Sequence, residues 1–122
     1  MRGVDAAGEV HRAAIRHPRR PDQVISIVEV SGAAVCTSGD YGRRTPRGHH
    51  LLDARSGEPA GATASATVIA PTAMAADALA TAALVLGPTT GLRLLDDCGV
   101  AGLIVAADIR IFTTSSWPAG AP

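Results

Sequence analysis

The sequence predicts an α+β fold: a mainly antiparallel sheet with one long buried helix and one short helix. The predicted elements follow one another in the order strands, helix, helix, strands, which is typical of this class. The 122 residues suit one domain. Because only 2% of them are aromatic, the core must consist mainly of Ala, Val, Leu and Ile.

The long helix is predicted over residues 73–86, where Asp77 and Thr81 are the only polar side chains. A helix that is apolar nearly all round is typically buried, so we expect a buried carboxylate at Asp77. The two polar residues are four positions apart and share a helix face. Two oxygen ligands at this spacing suit a hard cation such as Mg²⁺. The alternative is an Asp77 carboxylate bonded to a nearby arginine or backbone group, as most buried carboxylates are.

Strands are predicted before this helix at residues 10–16, 24–30, 33–37 and 63–70. Residues 24–30 alternate in the manner of a half-buried strand, and a Ser-Gly turn follows them. We therefore expect residues 24–37 to form a hairpin.

The ends of the long helix carry local signals. Thr72 stands at the position of an N-cap, and Gly87 followed by Pro88 is expected to end the helix. The remaining elements are a short helix at 89–97 and a hairpin with strands at 102–107 and 110–114. Residues 115–122 are expected to form a tail.

Two polar segments lie between the predicted strands. Residues 38–41 combine Ser, Gly, Asp and Tyr at a strand end, which suits either a loop that presents backbone N–H groups to a ligand or an ordinary turn. In the second segment, His49 and His50 would point to opposite faces of a strand, which is poor geometry for a chelate. One of them could act as a general base, or the segment could be a polar strand end.

Composition argues against several functions. The 11 basic and 11 acidic residues cancel, which gives no sign of a nucleic-acid partner. All basic residues are arginine, which excludes a Schiff-base or P-loop lysine within this chain. No segment is long and apolar enough to span a membrane or resembles a signal peptide, so the chain as given is predicted to be cytoplasmic; a signal upstream of it stays an open alternative.

Three motifs together resemble the FAD:protein FMN transferase (ApbE) family. They are Thr-Ser-Gly-Asp-Tyr at 37–41, His-Leu-Leu-Asp-Ala-Arg-Ser-Gly at 50–57 and Ala-Asp-Ala-Leu-Ala-Thr at 76–81. The corresponding family motifs read Thr-Ser-Gly-Asp-Tyr, His-Ile-Ile-Asp-Pro-Arg-Thr-Gly and Ala-Asp-Ala-Leu-Ala-Thr. Each motif alone is modest, but their order and spacing make the resemblance specific. It covers most of residues 10–114.

The resemblance implies Mg²⁺-dependent transfer of FMN from FAD to a Thr or Ser hydroxyl of an acceptor protein, with release of AMP. By position, Asp77 and Thr81 match the Mg²⁺ ligands. His50 matches a catalytic histidine that Asp53 could orient, and Leu51 matches an apolar residue that touches FAD. The loop on the nucleotide side would consist of Ser38, Gly39, Asp40 and Tyr41.

Family members are much longer, and their N-terminal part supplies much of the FAD pocket. Residues 1–122 are therefore interpreted as the C-terminal part of an ApbE-like domain, without its N-terminal part. Two alternatives stay open: a truncated, non-catalytic remnant, and a small module that binds or hydrolyses FAD.

Overall fold

The computed structural model describes residues 11–20, 22–39 and 63–118. These residues contain six strands and two helices, which confirms the α+β class. In chain order the elements are β1 (His11–Arg16), β2 (Val24–Val30), β3 (Ala34–Gly39), β4 (Thr63–Ala70), α1 (Ala73–Leu86), α2 (Pro88–Asp97), β5 (Ala101–Ala106) and β6 (Ile111–Thr113).

The strands form two antiparallel sheets, one of four strands in the order β3-β4-β5-β6 and one of the two strands β1 and β2. The predicted hairpin over residues 24–37 is wrong, because β2 pairs with β1 and β3 pairs with β4. Gly32, with a φ of 66°, lies in the Ser-Gly turn, and this turn leads from one sheet into the other. A glycine turn between two strands therefore did not specify that those strands pair.

The turn between β1 and β2 is organised by a histidine. The Nδ1 atom of His17 accepts hydrogen bonds from the backbone N–H groups of Arg19 and Arg20, at 3.0 and 3.1 Å. The backbone N–H of His17 donates to the carbonyl of Gln23 at 2.9 Å and closes the turn. These local bonds favour pairing of β2 with the strand before it.

The four-stranded sheet is covered on both faces. Successive side chains on a strand point to opposite faces, and two hydrophobic clusters accordingly lie on either side of β4. One joins the sheet to α1 and α2, and the other joins it to β1 and β2. Seven of the eight residues of β4 are buried, because β4 is an inner strand of the sheet and lies in the middle layer of a three-layer arrangement.

Small side chains bring α1 close to the sheet. Ala76, Ala80 and Ala83 face the sheet from the helix and are fully buried. Ala66 and Ala70 of β4 are buried in the same cluster. Because none of these side chains extends beyond Cβ, the helix backbone can lie near the strand backbone.

The ends of α1 are as the sequence predicts. The Thr72 side chain accepts a hydrogen bond from the backbone N–H of Ala75 at 3.1 Å, which is an N-cap bond. Gly87, with a φ of 90°, ends α1, and its N–H donates to the carbonyl of Ala83 at 3.2 Å. Pro88 begins α2 at once, where its missing N–H costs no helical bond.

The hairpin of β5 and β6 is confirmed, and its turn contains a strained residue. Ile109 has a φ of 71°, which is unfavourable for a β-branched side chain. The Asp108 carboxylate accepts hydrogen bonds from the backbone N–H of Arg110 at 3.2 Å and from its Nε at 2.8 Å. The hydrogen bond from the backbone N–H of Arg110 lowers the pKa of the Asp108 carboxyl most, and the Arg110 guanidinium lowers it further.

The expectation of a tail beginning at residue 115 is wrong for Trp117, which is 9% exposed and packs with Leu103 and Val105. Thr114 holds this segment against β5, because its Oγ1 accepts a hydrogen bond from the N–H of Gly102 at 3.0 Å. The indole therefore completes the cluster between the two sheets.

Gly91 allows α2 to approach α1. A Cβ at this position would lie 2.6 Å from the carbonyl oxygen of Ala83. At a solvent-exposed position inside a helix, replacing glycine by alanine raises the free energy of unfolding by up to about 1 kcal/mol. Here we expect Gly91→Ala to lower the free energy of unfolding by about 1–3 kcal/mol, because backbone atoms would have to move. Urea denaturation of the 122-residue chain measures this.

The control is Thr90→Ala, at an exposed position of the same helix. This variant should change the free energy of unfolding by less than about 0.5 kcal/mol. Equal stability of both variants would show that the close contact of α1 and α2 is absent in solution.

Candidate functional site

A hydrogen bond between two hydroxyl groups joins two of the three sequence motifs. The Oγ atom of Ser38 lies 3.0 Å from Oγ1 of Thr81, although the two residues are 43 positions apart in sequence. Ser38 and Gly39 are the last two residues of β3, so the predicted loop is wrong for these positions, because pairing with β4 continues through Gly39. Ser38 lies opposite Ala66 of β4. Because Ala66 belongs to the cluster under α1, Ser38 faces that helix. Both hydroxyl-bearing side chains are half-buried.

Asp77 lies one helical turn before Thr81 and is exposed, so the expectation of a buried carboxylate is wrong. The described residues cover α1 on one side only. Met74 and Ala78 are also exposed, and Met74 is 83% accessible. Alanine is small and weakly apolar and is tolerated on exposed as well as buried faces of a helix. The apolar composition of α1 therefore did not mean that every face of it is buried.

The Asp77 carboxylate has no hydrogen-bond or ion-pair partner among residues 11–20, 22–39 and 63–118. The predicted alternative of a buried salt bridge therefore has no support in that part of the chain. The carboxylate is accessible to an external cation, and the Thr81 hydroxyl lies one turn further along the same helix.

A second pair of hydroxyls lies on the other face of β3. Oγ1 of Thr37 is 2.9 Å from Oγ1 of Thr67, its direct partner on β4. This pair is not among the features predicted from the sequence. The available signal was the hydroxyl residues at alternate positions of one strand, which places Ser65 and Thr67 on the same face. A register shift between Thr63 and Ser65 interrupts this alternation at Thr63.

Two further hydroxyls of β4, Thr63 Oγ1 and Ser65 Oγ, are buried and have no hydrogen-bond partner within the described part of the chain. Ser65 is the partner of Gly39, the last residue of β3. The polar part of β4 therefore lies at the same end of the sheet as the Thr-Ser-Gly motif.

The described residues contain no group of three or more His, Cys, Asp and Glu side chains that could hold a metal ion. Asp77 and Thr81 would thus supply two oxygen atoms of a coordination shell. Mg²⁺ typically keeps several waters and takes oxygen atoms of substrate phosphates as further ligands. A carboxylate and a hydroxyl oxygen are donors of the kind that this cation takes.

Five of the predicted site residues lie outside the part of the chain that the structure describes. Their assignments stay predictions. They are Asp40, Tyr41, His50, Leu51 and Asp53.

Comparison with protein families gives one clear match. The model of the ApbE family matches residues 1–104. This chain belongs to the ApbE family. The FAD:protein FMN transferase of Klebsiella pneumoniae is 34% identical over 122 residues, and that of Treponema pallidum is 38% identical over 91. These matches cover 93% and 70% of this chain.

Solved ApbE structures have the same fold over the matched region. The ApbE protein of Thermotoga maritima superimposes with a TM-score of 0.81 at 33% identity, and the apo form of the flavinyl transferase ApbE of Pseudomonas stutzeri with 0.70 at 35%. Each match covers 93% of this chain and 39% of the other. The chain spans 34% of the length of the Klebsiella pneumoniae relative, about a third.

Neither helix in the described part of the chain is long and apolar enough to cross a lipid bilayer.

Because Asp77 is exposed, its charge should be dispensable for folding. We expect Asp77→Asn to change the free energy of unfolding of the 122-residue chain by less than about 0.5 kcal/mol, as measured by urea denaturation. The matched control is Ala76→Asn, which places the same side chain one residue earlier at a fully buried position. That variant should lose more than about 1 kcal/mol. A similar loss in Asp77→Asn would mean that Asp77 is not exposed as described.

Proposed function

We propose that this chain takes part in protein flavinylation: Mg²⁺-dependent transfer of FMN from FAD to a Thr or Ser hydroxyl of an acceptor protein, with release of AMP. Membership of the ApbE family and the names of its relatives support transfer of flavin. The observation within the structure that carries the proposal is the 3.0 Å bond between Ser38 and Thr81. It joins two motifs that the proposed reaction needs in one place.

The chain would form the C-terminal part of an ApbE-like domain. It spans 34% of the Klebsiella pneumoniae relative, so two-thirds of that protein has no counterpart here. We propose that a complete FAD pocket needs this remaining part of the fold.

Asp77 and Thr81 would hold the Mg²⁺ ion. Asp77 offers an accessible carboxylate without a partner in the described ranges, and Thr81 offers a hydroxyl oxygen on the same helix face. When bound, the cation would neutralise charge that develops on the phosphate oxygens of FAD.

The remaining roles come from the resemblance. His50 would take the proton of the acceptor hydroxyl, and Asp53 would orient the imidazole. The hydroxyl oxygen forms a bond to the phosphorus of the FMN moiety while the phosphoanhydride bond to AMP breaks. Leu51 would contact the flavin nucleotide, and the segment of Ser38, Gly39, Asp40 and Tyr41 would lie beside it.

The test is a complementation assay. The chain is mixed with FAD, Mg²⁺, an acceptor protein and the segment of the Klebsiella pneumoniae relative that it does not match. AMP is quantified by chromatography, and covalent flavin by fluorescence of the acceptor after denaturing electrophoresis. We expect equal amounts of AMP and flavinylated acceptor. The intact mass from the native source, compared with the 12.3 kDa of this sequence, shows whether a longer form should be assayed as well.

Two variants assign the roles. Asp77→Ala should abolish Mg²⁺ binding and transfer, because the charged ligand is gone. His50→Ala should retain FAD and lose about 10²-fold or more in transfer rate, because no base remains. Unchanged Mg²⁺ affinity in the first, or unchanged transfer in the second, would contradict the corresponding role.

The alternatives give different products. Release of AMP and free FMN without an acceptor would indicate a module that hydrolyses FAD. Absence of both FAD binding and AMP release in the complemented mixture would indicate a non-catalytic remnant.

A further inference from the structure

The hydroxyl of Thr81 can point in more than one direction. In an α-helix the Thr side chain occupies two χ1 rotamers, because its Oγ1 can also bond to a carbonyl of the preceding turn. Four residues before Thr81 that carbonyl belongs to Asp77. A hydroxyl bonded there would be turned back along its own helix. The structure instead shows Thr81 Oγ1 at 3.0 Å from Ser38 Oγ.

We propose that Ser38 is a positioning residue, whose hydroxyl holds the Thr81 side chain in the rotamer that binds the cation. This inference rests on the proposed function, because it assumes a Mg²⁺ site at Asp77 and Thr81. It gives Ser38 a task different from direct contact with the nucleotide. Ser38 acts on the metal through Thr81.

Hydrogen-bond chemistry supports this arrangement. A hydroxyl group has one donor hydrogen and two lone pairs. A Thr81 that donates its hydrogen to Ser38 keeps its lone pairs available for a cation. Ser38 would therefore be the acceptor when the cation is bound, because coordination would polarise the Thr81 O–H bond and favour donation to Ser38.

The position of Ser38 is fixed independently of the metal. It lies within β3, where its backbone is in register with Ala66 of the inner strand β4. Partial burial of both hydroxyls also limits competition from bulk water. Ser38 can thus present a stable acceptor to α1 before any cation binds.

The neighbouring residue offers a matched control. Thr37 lies on the same strand, but its hydroxyl bonds to Thr67 on the opposite face of the sheet, at 2.9 Å. Replacing it removes a hydroxyl of the same strand without touching Thr81.

Two measurements test the inference in Ser38→Ala, Ser38→Thr and Thr37→Ala. The first is the set of three-bond NMR couplings to the Thr81 methyl carbon in the metal-free chain, which report its χ1 rotamer. The second is Mg²⁺ affinity by calorimetry, for the chain alone and for the complemented mixture. In Ser38→Ala the couplings to the Thr81 methyl carbon should be averaged between rotamers. Its Mg²⁺ affinity should fall on the order of tenfold, as is typical when a residue that hydrogen-bonds to a metal ligand is removed. Ser38→Thr should retain most of the affinity, and Thr37→Ala should stay within about twofold of the unaltered chain.

The outcomes separate this inference from the function on which it rests. A single Thr81 rotamer and unchanged affinity in Ser38→Ala, with affinity lost in Asp77→Ala, would overturn the positioning role alone. Unchanged affinity in Asp77→Ala, or no Mg²⁺ binding by the unaltered chain in either form, would contradict the metal site and the inference together. An equal loss in Thr37→Ala would show a general effect on β3 and overturn the specific role of Ser38.

Discussion

The close approach of α1 to strands β3 and β4 is the constraint on which the candidate site depends. Alanine side chains on the helix and on β4 allow the two backbones to lie close together. The Ser38 hydroxyl on β3 and the Thr81 hydroxyl on α1 are therefore only 3.0 Å apart. Larger residues at Ala76, Ala80 or Ala66 would separate the two elements and break this bond. In the same way, the missing side chain of Gly91 allows α2 to lie close to the Ala83 carbonyl of α1.

The two adjacent hydroxyl residues of the Thr-Ser-Gly motif act on different faces of the sheet. Strand geometry directs Thr37 towards Thr67 and Ser38 towards Thr81. One residue therefore links β3 to its neighbouring strand, while the next links it to the helix that carries Asp77. This division explains how a short motif at a strand end contributes both to the sheet and to the candidate metal site.

Because Asp77 is exposed, the candidate metal site lies on the surface of the described residues and not in their core. A carboxylate on the exposed side of α1, with no partner in the described ranges, can receive a cation without first losing an ion pair there. The chain belongs to the ApbE family, whose model matches residues 1–104. Because the chain spans only about a third of its relatives, the flavin transfer itself is a proposal about a larger fold.

The sequence by itself determined the local features. The bounds of α1 follow from the Thr72 cap and from Gly87 and Pro88, and the β5–β6 hairpin follows from two strands joined by a short turn. The motifs also identified the family, because their residue types and spacing are specific. Of the candidate site, the sequence predicted that Asp77 and Thr81 share a helix face.

Only the tertiary structure decided which elements meet. It pairs β2 with β1, buries Trp117, leaves Asp77 exposed and joins Ser38 to Thr81. The physical reason is that pairing and burial depend on which surfaces pack against each other across distant parts of the chain. An alanine-rich helix gives little indication of which face is covered, because all its faces are similarly apolar, whereas caps and turns act within a few residues and can be recognised locally.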